Sequence, residues 1–279
     1  GLITERQRAA SDSVANWERY IRSYGRTLPS RGVEAYLRIA DVWTGARRPE
    51  RADRYYAAAV EFVDSLTPEE RAALSTDAQD AAARAQFMLA EQVWARYEAV
   101  NLNRRTEAQI REAVTTKLQI GAEAAQLYDR IVFGSTRPGW QIAALTRLGQ
   151  LYHNFFLQLI DAPVPPGLPP LVEEEYRTEI ENRAAQQKEA AAVRYLRALE
   201  IARETGWFNE YSRLAARQLQ ELDPAYASGS EVRTEPGFDN PRAYASPFVG
   251  VREQRPSDSG LGAADAPADS TTPRSADGN

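Results

Sequence analysis

The stretch that decides the fold runs from Tyr36 to Ala59 and reads YLRIADVWTGARRPERADRYYAAA. Each half places large and small residues on one face of a helix, first at Tyr36, Ile39, Ala40 and Trp43, then at Ala52, Tyr56 and Ala59. The turn Gly45-Ala46-Arg47-Arg48-Pro49 separates the halves, and its Pro49 suits a helix start. Small residues let two antiparallel helices approach closely, while large residues fill the space around them. The stretch therefore predicts a helical hairpin.

Related spacing returns twice further along the chain. A stretched unit carries Leu145, Leu148, Gly149 and Tyr152 in its first helix, and Ala191, Tyr195 and Ala198 in its second. A more degenerate middle unit carries Gln86, Leu89, Ala90 and Val93, followed by Ala124, Tyr128 and Ile131. Repeats of this kind indicate stacked helix pairs, each burying its apolar face against the next. We expect three units, at about residues 31–66, 76–134 and 139–204, with overlong second helices.

Atypical elements are expected at both ends of such a stack, because the end units must cover exposed faces. We predict a capping helix at residues 4–24, around Trp17 and Tyr20, and a closing helix at 207–222. The sequence Thr67-Pro68-Glu69-Glu70 has the form of a capping box with proline at the first helical position, and it predicts a short helix. No stretch alternates β-branched and polar residues, so no sheet is predicted.

The composition changes after the closing helix. Residues 226–279 are rich in Ser, Gly, Pro, Asp and Thr, and Leu261 is the only large apolar residue from Glu253 onward. Such a segment buries too little apolar surface to offset its ordering entropy. We therefore predict a helical domain over 1–225 and a largely disordered tail over 226–279. Within the tail, residues 226–252 offer apolar side chains for contact with the folded part, namely Phe238, Tyr244, Phe248 and Val249.

On the spacing at Tyr36 to Ala59 and at Leu145 to Ala198, residues 31–222 resemble the tetratricopeptide-repeat superfamily. The resemblance implies an all-α fold, a right-handed superhelix of antiparallel helix pairs. The overlong second helices and the proline-rich segment at 162–170 depart from that family's pattern. More loosely, residues 206–212, followed by Leu222-Asp223-Pro224 and together with the long-helix insertions, are similar to the end of repeat proteins of the gliding-motility and cell-envelope machinery of myxobacteria-like bacteria. That likeness implies a periplasmic or envelope-attached scaffold, with a cytoplasmic location as the alternative.

The resemblance also implies a partner-binding groove, because the first helix of each tetratricopeptide pair lines the concave face. The residues it places there are Glu34, Leu37, Asp41, Thr44, Arg84, Phe87, Glu91, Trp94, Thr146, Gln150, His153 and Asn154. Phe87 and Trp94 are the expected aromatic anchors. The alternative is that both pack under the neighbouring insertion. His153, the only histidine, suits a carboxylate or a backbone carbonyl beside Asn154, although a lone histidine is also typical of a structural role.

Composition and motifs exclude several classes of function. A net charge of -5 gives no global basic field for nucleic acid. No apolar run approaches the roughly 20 residues that span a bilayer, so no direct membrane insertion is expected. The chain has no cysteine, hence no thiolate nucleophile and no cysteine-bound zinc. Phosphate-loop, dinucleotide, zinc-protease and serine-hydrolase motifs are missing, so we expect no catalytic residue, metal or cofactor. Because the chain begins at Gly1, we expect a processed or trimmed product.

Three functions fit these observations. The first is a non-catalytic scaffold or adaptor that binds a protein or peptide in the groove. The second is an enzyme or enzyme accessory acting in the cell envelope, for example on cell-wall glycan. The third is a structural subunit that associates with itself, with Trp17, Tyr20 and Tyr24 as the contact surface. The segment from Pro163 to Pro170 is either a polyproline ligand or a stiff connector.

Overall fold

The computed structural model describes residues 2–104, 106–164 and 167–224. These ranges hold nine α-helices and no strand, which confirms the all-helical class for the part described. The helices are α1 (Leu2–Tyr24), α2 (Pro29–Gly45), α3 (Pro49–Asp64), α4 (Pro68–Ala72), α5 (Thr76–Ala99), α6 (Glu107–Gly134), α7 (Pro138–Ile160), α8 (Pro170–Thr205) and α9 (Glu210–Leu222). The predicted tail at 226–279, including residues 226–252 and their four apolar side chains, lies outside the described residues.

Proline and short polar side chains set the helix starts. Five helices, α2, α3, α4, α7 and α8, begin with proline, whose missing N–H costs nothing in the first turn. Thr67 accepts a hydrogen bond from the backbone N–H of Glu70, and the Glu70 carboxylate accepts one from the Thr67 N–H. The predicted capping box and its short helix α4 are thus confirmed. Gly206 ends α8 with a left-handed backbone (φ 67°), a conformation that glycine adopts without strain.

The helices pack in a regular order. We call α2, α5, α7 and α9 the first helices, and α3, α6 and α8 the second helices. Each second helix packs between two first helices, in the order α2, α3, α5, α6, α7, α8, α9. The first helices also contact one another directly, α2 with α5, α5 with α7, and α7 with α9. Side chains on one side of the first helices are therefore brought next to each other.

Close approach of α7 and α8 rests on a missing side chain. A Cβ atom built on Gly149 would stand 2.4 Å from Cε1 of Tyr195, too close for any ordinary contact. Tyr195 itself is fully buried, together with Phe87, Tyr128 and Trp140. The expectation that small residues allow close helix contact is confirmed at this position. The dense aromatic core that results holds α5 to α9 together.

Candidate partner-binding face

Seven of the twelve candidate groove residues are at least partly exposed. They are Glu34, Asp41, Thr44, Arg84, Glu91, Gln150 and Asn154. The other five lie in the interior, namely Leu37, Phe87, Trp94, Thr146 and His153. These five side chains are at most 8% exposed, so the structure does not place them at the surface of an open groove. That the expected groove residues bind a partner stays a prediction.

The closing helix explains why the expected aromatic anchor is covered. The Phe87 ring centre lies 5.6 Å from those of Tyr128 and Trp140, and 5.8 Å from that of Tyr211 on α9. Thr146 donates hydrogen bonds to the carbonyl oxygens of Ile142 and Tyr211. α9 thus lies where a partner was expected to lie. The alternative expectation is that Phe87 packs under the neighbouring insertion. Its ring is indeed buried, but the elements that cover it are α6, α7 and α9.

One ion pair brings two of the exposed candidates together across helices. Arg84 on α5 binds both carboxylate oxygens of Asp41 on α2, with Nη1 3.3 Å from Oδ2 and a shorter bond from Nη2 to Oδ1. On α2, Glu34 accepts hydrogen bonds from Arg31 at 2.7 Å and from Ser75, just before α5, at 3.4 Å. Two candidate positions from different units therefore form a direct salt bridge, as expected of neighbours on one face.

A second, more deeply placed cluster joins α5, α6, α7 and α9. We call it the Arg147 cluster, and its members are Glu91, Trp94, Tyr128, Arg147, Gln150 and Tyr211. The Arg147 guanidinium donates to both Glu91 oxygens, at 2.8 and 2.6 Å, and to Oε1 of Gln150 at 2.7 Å. Its carbon Cζ lies 5.3 Å from the ring centre of Trp94 and 5.7 Å from that of Tyr211. The Tyr128 hydroxyl donates to Oε1 of Glu91 at 2.6 Å.

The electrostatics of the cluster keep both charges in place. Burial alone lowers the pKa of Arg147, but the hydrogen bonds and negative charge of Glu91 outweigh it, so the pKa is raised. Burial raises the pKa of Tyr128, and the nearby Glu91 carboxylate raises it further. The Tyr128 hydroxyl therefore stays protonated and can donate its hydrogen bond. The Arg147 and Glu91 side chains are about a fifth exposed (19% and 22%). The outer atoms of both side chains are accessible to a partner, but breaking the ion pair would leave a mostly buried charge without its counterion.

His153 occupies a core position between α7, α8 and α9. Its Nδ1 atom lies 3.5 Å from the Tyr195 hydroxyl, and its ring packs against those of Tyr195 and Phe156. Burial lowers its pKa, and Glu221 and Gln218 on α9 partly oppose this. No cluster of three or more His, Cys, Asp or Glu able to hold a metal occurs among the described residues. The surroundings of His153 fit the structural alternative.

Sequence reasoning missed two charged residues that the structure makes central. Arg147 is the only Asp, Glu, Lys or Arg in the 23 residues of α7, and a lone charge on an apolar helix was the available signal. Lys117 is fully buried, and its Nζ atom donates to the carbonyl oxygens of Tyr97 at 3.1 Å and Val100 at 2.9 Å. It therefore adds a donor to two carbonyls at the end of α5, where helix carbonyls run out of backbone partners, and the Tyr97 carbonyl also accepts from the Val100 N–H. Lys117 is one of only two lysines, which again was visible in the sequence.

A polar depression of about 370 Å³ opens next to the end of α5. Its lining residues are Glu98, Ala99, Asn101, Asn103, Gln158 and Asp161. They supply two carboxylates and several amide groups, which can accept and donate hydrogen bonds.

Comparisons with protein-family models, with curated proteins and with solved structures find no match to this chain. The resemblance to tetratricopeptide repeats and to envelope machinery thus stays a prediction, and function has to be argued from geometry. None of the helices in the described ranges is both long enough and apolar enough to cross a bilayer.

Proposed function

We propose that this chain is a non-catalytic scaffold or adaptor that binds a protein or peptide partner through the face carried by the first helices. The observation that carries the proposal is a line of polar side chains running from Asp41 through Arg84 and Glu91 to Arg147 and Gln150. Arg84 and Glu91 are about two turns apart on α5 and so share one side of that helix. Hydrogen bonds join Asp41 on α2 to Arg84 on α5, and Glu91 on α5 to Arg147 on α7. The two hydrogen-bonded groups are linked by the shared side of α5.

A right-handed superhelix of the tetratricopeptide kind is part of this proposal. It is supported by the packing order, in which every second helix contacts two first helices and successive first helices contact each other. It is also supported by the close packing of Tyr195 on Gly149, where the repeat pattern calls for a small residue. Envelope or periplasmic location is likewise proposed, on the likeness of residues 206–212 and 222–224 and on the overlong helices.

The chemistry of the face favours a partner with charges of both signs. Glu34, Arg38 and Asp41 follow one another on one side of α2, and Arg38 is exposed. Mixed charges at a solvent-exposed face select partners by complementarity and speed their encounter more than they add affinity. With its largest apolar side chains buried, the face offers hydrogen bonds and charges to an extended or helical peptide.

The test is affinity purification of the full chain from its own cells, followed by mass spectrometry and cell fractionation. Arg38→Glu reverses an exposed charge on the proposed face. Arg54→Glu makes the same change at an exposed position on the second helix α3 and is the matched control. Circular dichroism melting checks that both variants stay folded.

We expect one partner to be recovered with wild type and with Arg54→Glu, and to be lost or strongly reduced with Arg38→Glu. Recovery of the same partner with both variants would place the contact elsewhere on the molecule. A purified sample that turns over a cell-wall glycan fragment would replace the scaffold proposal with the enzyme alternative.

A further inference from the structure

Exposed large hydrophobic side chains gather at two connections between helices. Of the ten such side chains among the described residues, six lie at these two places. Four surround the α7–α8 connection, and we call them the tip patch: Leu157, Ile160, Leu171 and Val172. Two lie at the α1–α2 connection, and we call them the end patch: Tyr24 and Leu28. Leu171 is the most exposed of the six, at 69%. Apolar side chains grouped at one place usually mark an interaction surface.

The chain segments that carry the two patches have net charges of opposite sign, and each segment contains charged residues of one sign only. Residues 157–175 contain Asp161, Glu173, Glu174 and Glu175 and no Lys or Arg, a net charge of -4. Residues 19–31 contain Arg19, Arg22, Arg26 and Arg31 and no Asp or Glu, a net charge of +4. Glu174, Glu175, Arg22 and Arg26 are all exposed. Each patch is therefore an apolar surface with a rim of one sign.

Neighbouring groups within the chain neutralise these rims only in part. Glu173 is paired with Arg177 one turn later, at 2.6 Å, and Arg31 is paired with Glu34 at 2.7 Å. Arg26 lies over the Phe62 ring, with its Cζ atom 5.5 Å from the ring centre, and forms no ion pair within 4 Å with an acid of the described residues. Like patches repel each other, whereas a tip patch and an end patch attract.

We propose that copies of this chain associate with one another through contact of the tip patch of one copy with the end patch of the next. Apolar side chains from both patches become buried in the contact, and the acidic and basic rims set its register. The contact is heterologous, because it joins two different surfaces, and each copy keeps one free patch of each kind. Association can therefore continue beyond two copies unless the rotation between copies closes a ring.

Two full-length variants remove one patch each. Glu174→Arg with Glu175→Arg brings the acidic segment from -4 to neutral, and Arg22→Glu with Arg26→Glu does the same to the basic segment. The matched controls make equal charge changes at exposed positions away from both patches. They are Glu50→Arg with Glu189→Arg, and Arg54→Glu with Arg203→Glu. Sedimentation velocity and light scattering over about 1 µM to 1 mM cover the range of weak to moderate contacts.

We expect the mean mass of wild type and of both controls to rise with concentration, and the rise to weaken at high salt because the rims are solvent-exposed. Each patch variant alone should weaken self-association at least tenfold, toward the monomer mass. An equimolar mixture of the two variants is the decisive sample. It retains one intact tip patch and one intact end patch on different copies, so association should be restored and the mean mass should rise above that of either variant alone.

Three results would overturn the proposal. Wild type that stays monomeric over the whole range would leave the patches to a partner of different sequence. Patch variants that associate as strongly as their controls would place self-association on another surface. A mixture that behaves like the two variants measured separately would show that the two patches do not meet, even if each variant alone is monomeric.

Discussion

Arg147 on α7 and Glu91 on α5 form a bidentate ion pair, in which Nε of Arg147 lies 2.8 Å from Oε1 of Glu91 and Nη2 lies 2.6 Å from Oε2. The same carboxylate accepts the hydroxyl of Tyr128 on α6, and the guanidinium lies near Tyr211 on α9. One charged pair thus connects four helices. Because both side chains are mostly buried, removal of either one leaves the other as an uncompensated charge.

Arg147→Met is therefore expected to lower the free energy of unfolding by about 2–4 kcal/mol. This is less than the loss of a fully buried pair costs, because some solvent reaches both side chains. Urea unfolding followed by circular dichroism measures the change. Arg38→Met, at an exposed position on α2, is the control and should change stability by less than about 0.5 kcal/mol. The double variant with Glu91→Gln should cost less than the sum of the two single variants. Additive costs would mean that the pair does not act as a unit.

Part of this fold could be predicted because local signals and burial agree. Pro49 and the Thr67 capping box start helices where expected, and Gly149 packs against Tyr195 as the small-residue pattern requires. The groove could not be predicted as reliably, because exposure depends on which element lies on top. The residues around Phe87 give no indication that Tyr211, more than a hundred residues later in the chain, packs over its ring.

The charged clusters show the same difference between what the sequence predicts and what tertiary packing decides. The expected positions Asp41, Arg84, Glu91 and Gln150 do meet on one face, since helical period alone determines which side of a helix they occupy. Their shared partner Arg147 was missed, since side-chain reach between helices depends on the packing distance. Repeat spacing predicts faces, and only tertiary packing decides which residues of a face stay at the surface.

Gly149→Ala is expected to destabilise the protein by about 1–3 kcal/mol, because the new methyl group would collide with the fully buried Tyr195 ring. Gly134→Ala is the matched control, since a Cβ there meets no atom within 4 Å. It should be neutral or slightly stabilising, because alanine has less backbone entropy to lose in a helix. Thermal unfolding of both variants measures the difference. Equal melting temperatures would mean that α7 and α8 pack less tightly than described.

Lys117 should make stability rise with pH in the alkaline range. Its burial lowers the pKa to about 8 in the folded protein, against about 10.4 for an unfolded chain. Between these two values the unfolded chain binds more protons, so raising the pH favours folding, by up to about 1.4 kcal/mol per pH unit. Urea unfolding between pH 7.5 and 9.5 should show this rise in wild type.

Two lysine variants isolate the effect. Lys117→Met should lack the rise. Lys188→Met should keep it, since the other lysine is partly exposed beside Asp223. A wild-type profile that matches that of Lys117→Met would mean that Lys117 keeps its ordinary pKa, and hence that water reaches its Nζ atom.

His153 should make stability fall as the pH drops below neutrality. Burial lowers its pKa below the ordinary value of about 6.5, so the unfolded chain takes up a proton more readily than the folded protein does. Acidification through that range therefore favours unfolding. The groups that face the ring are Tyr195 on α8, Phe156 on α7, and Gln218 and Glu221 on α9. Glu221 and Gln218 both oppose the lowering of the pKa.

His153→Gln removes the titrating group while keeping a polar side chain of similar reach. We expect wild type to lose more stability than this variant between pH 7 and pH 5, a range in which most carboxylates are still ionised. Urea unfolding at several pH values measures both profiles, and NMR titration of the single imidazole reports its pKa directly. Parallel profiles, or an imidazole that titrates at or above its ordinary pKa, would show that Glu221 compensates the burial and that the α7–α9 contact is wetter than the packing around Tyr195 indicates.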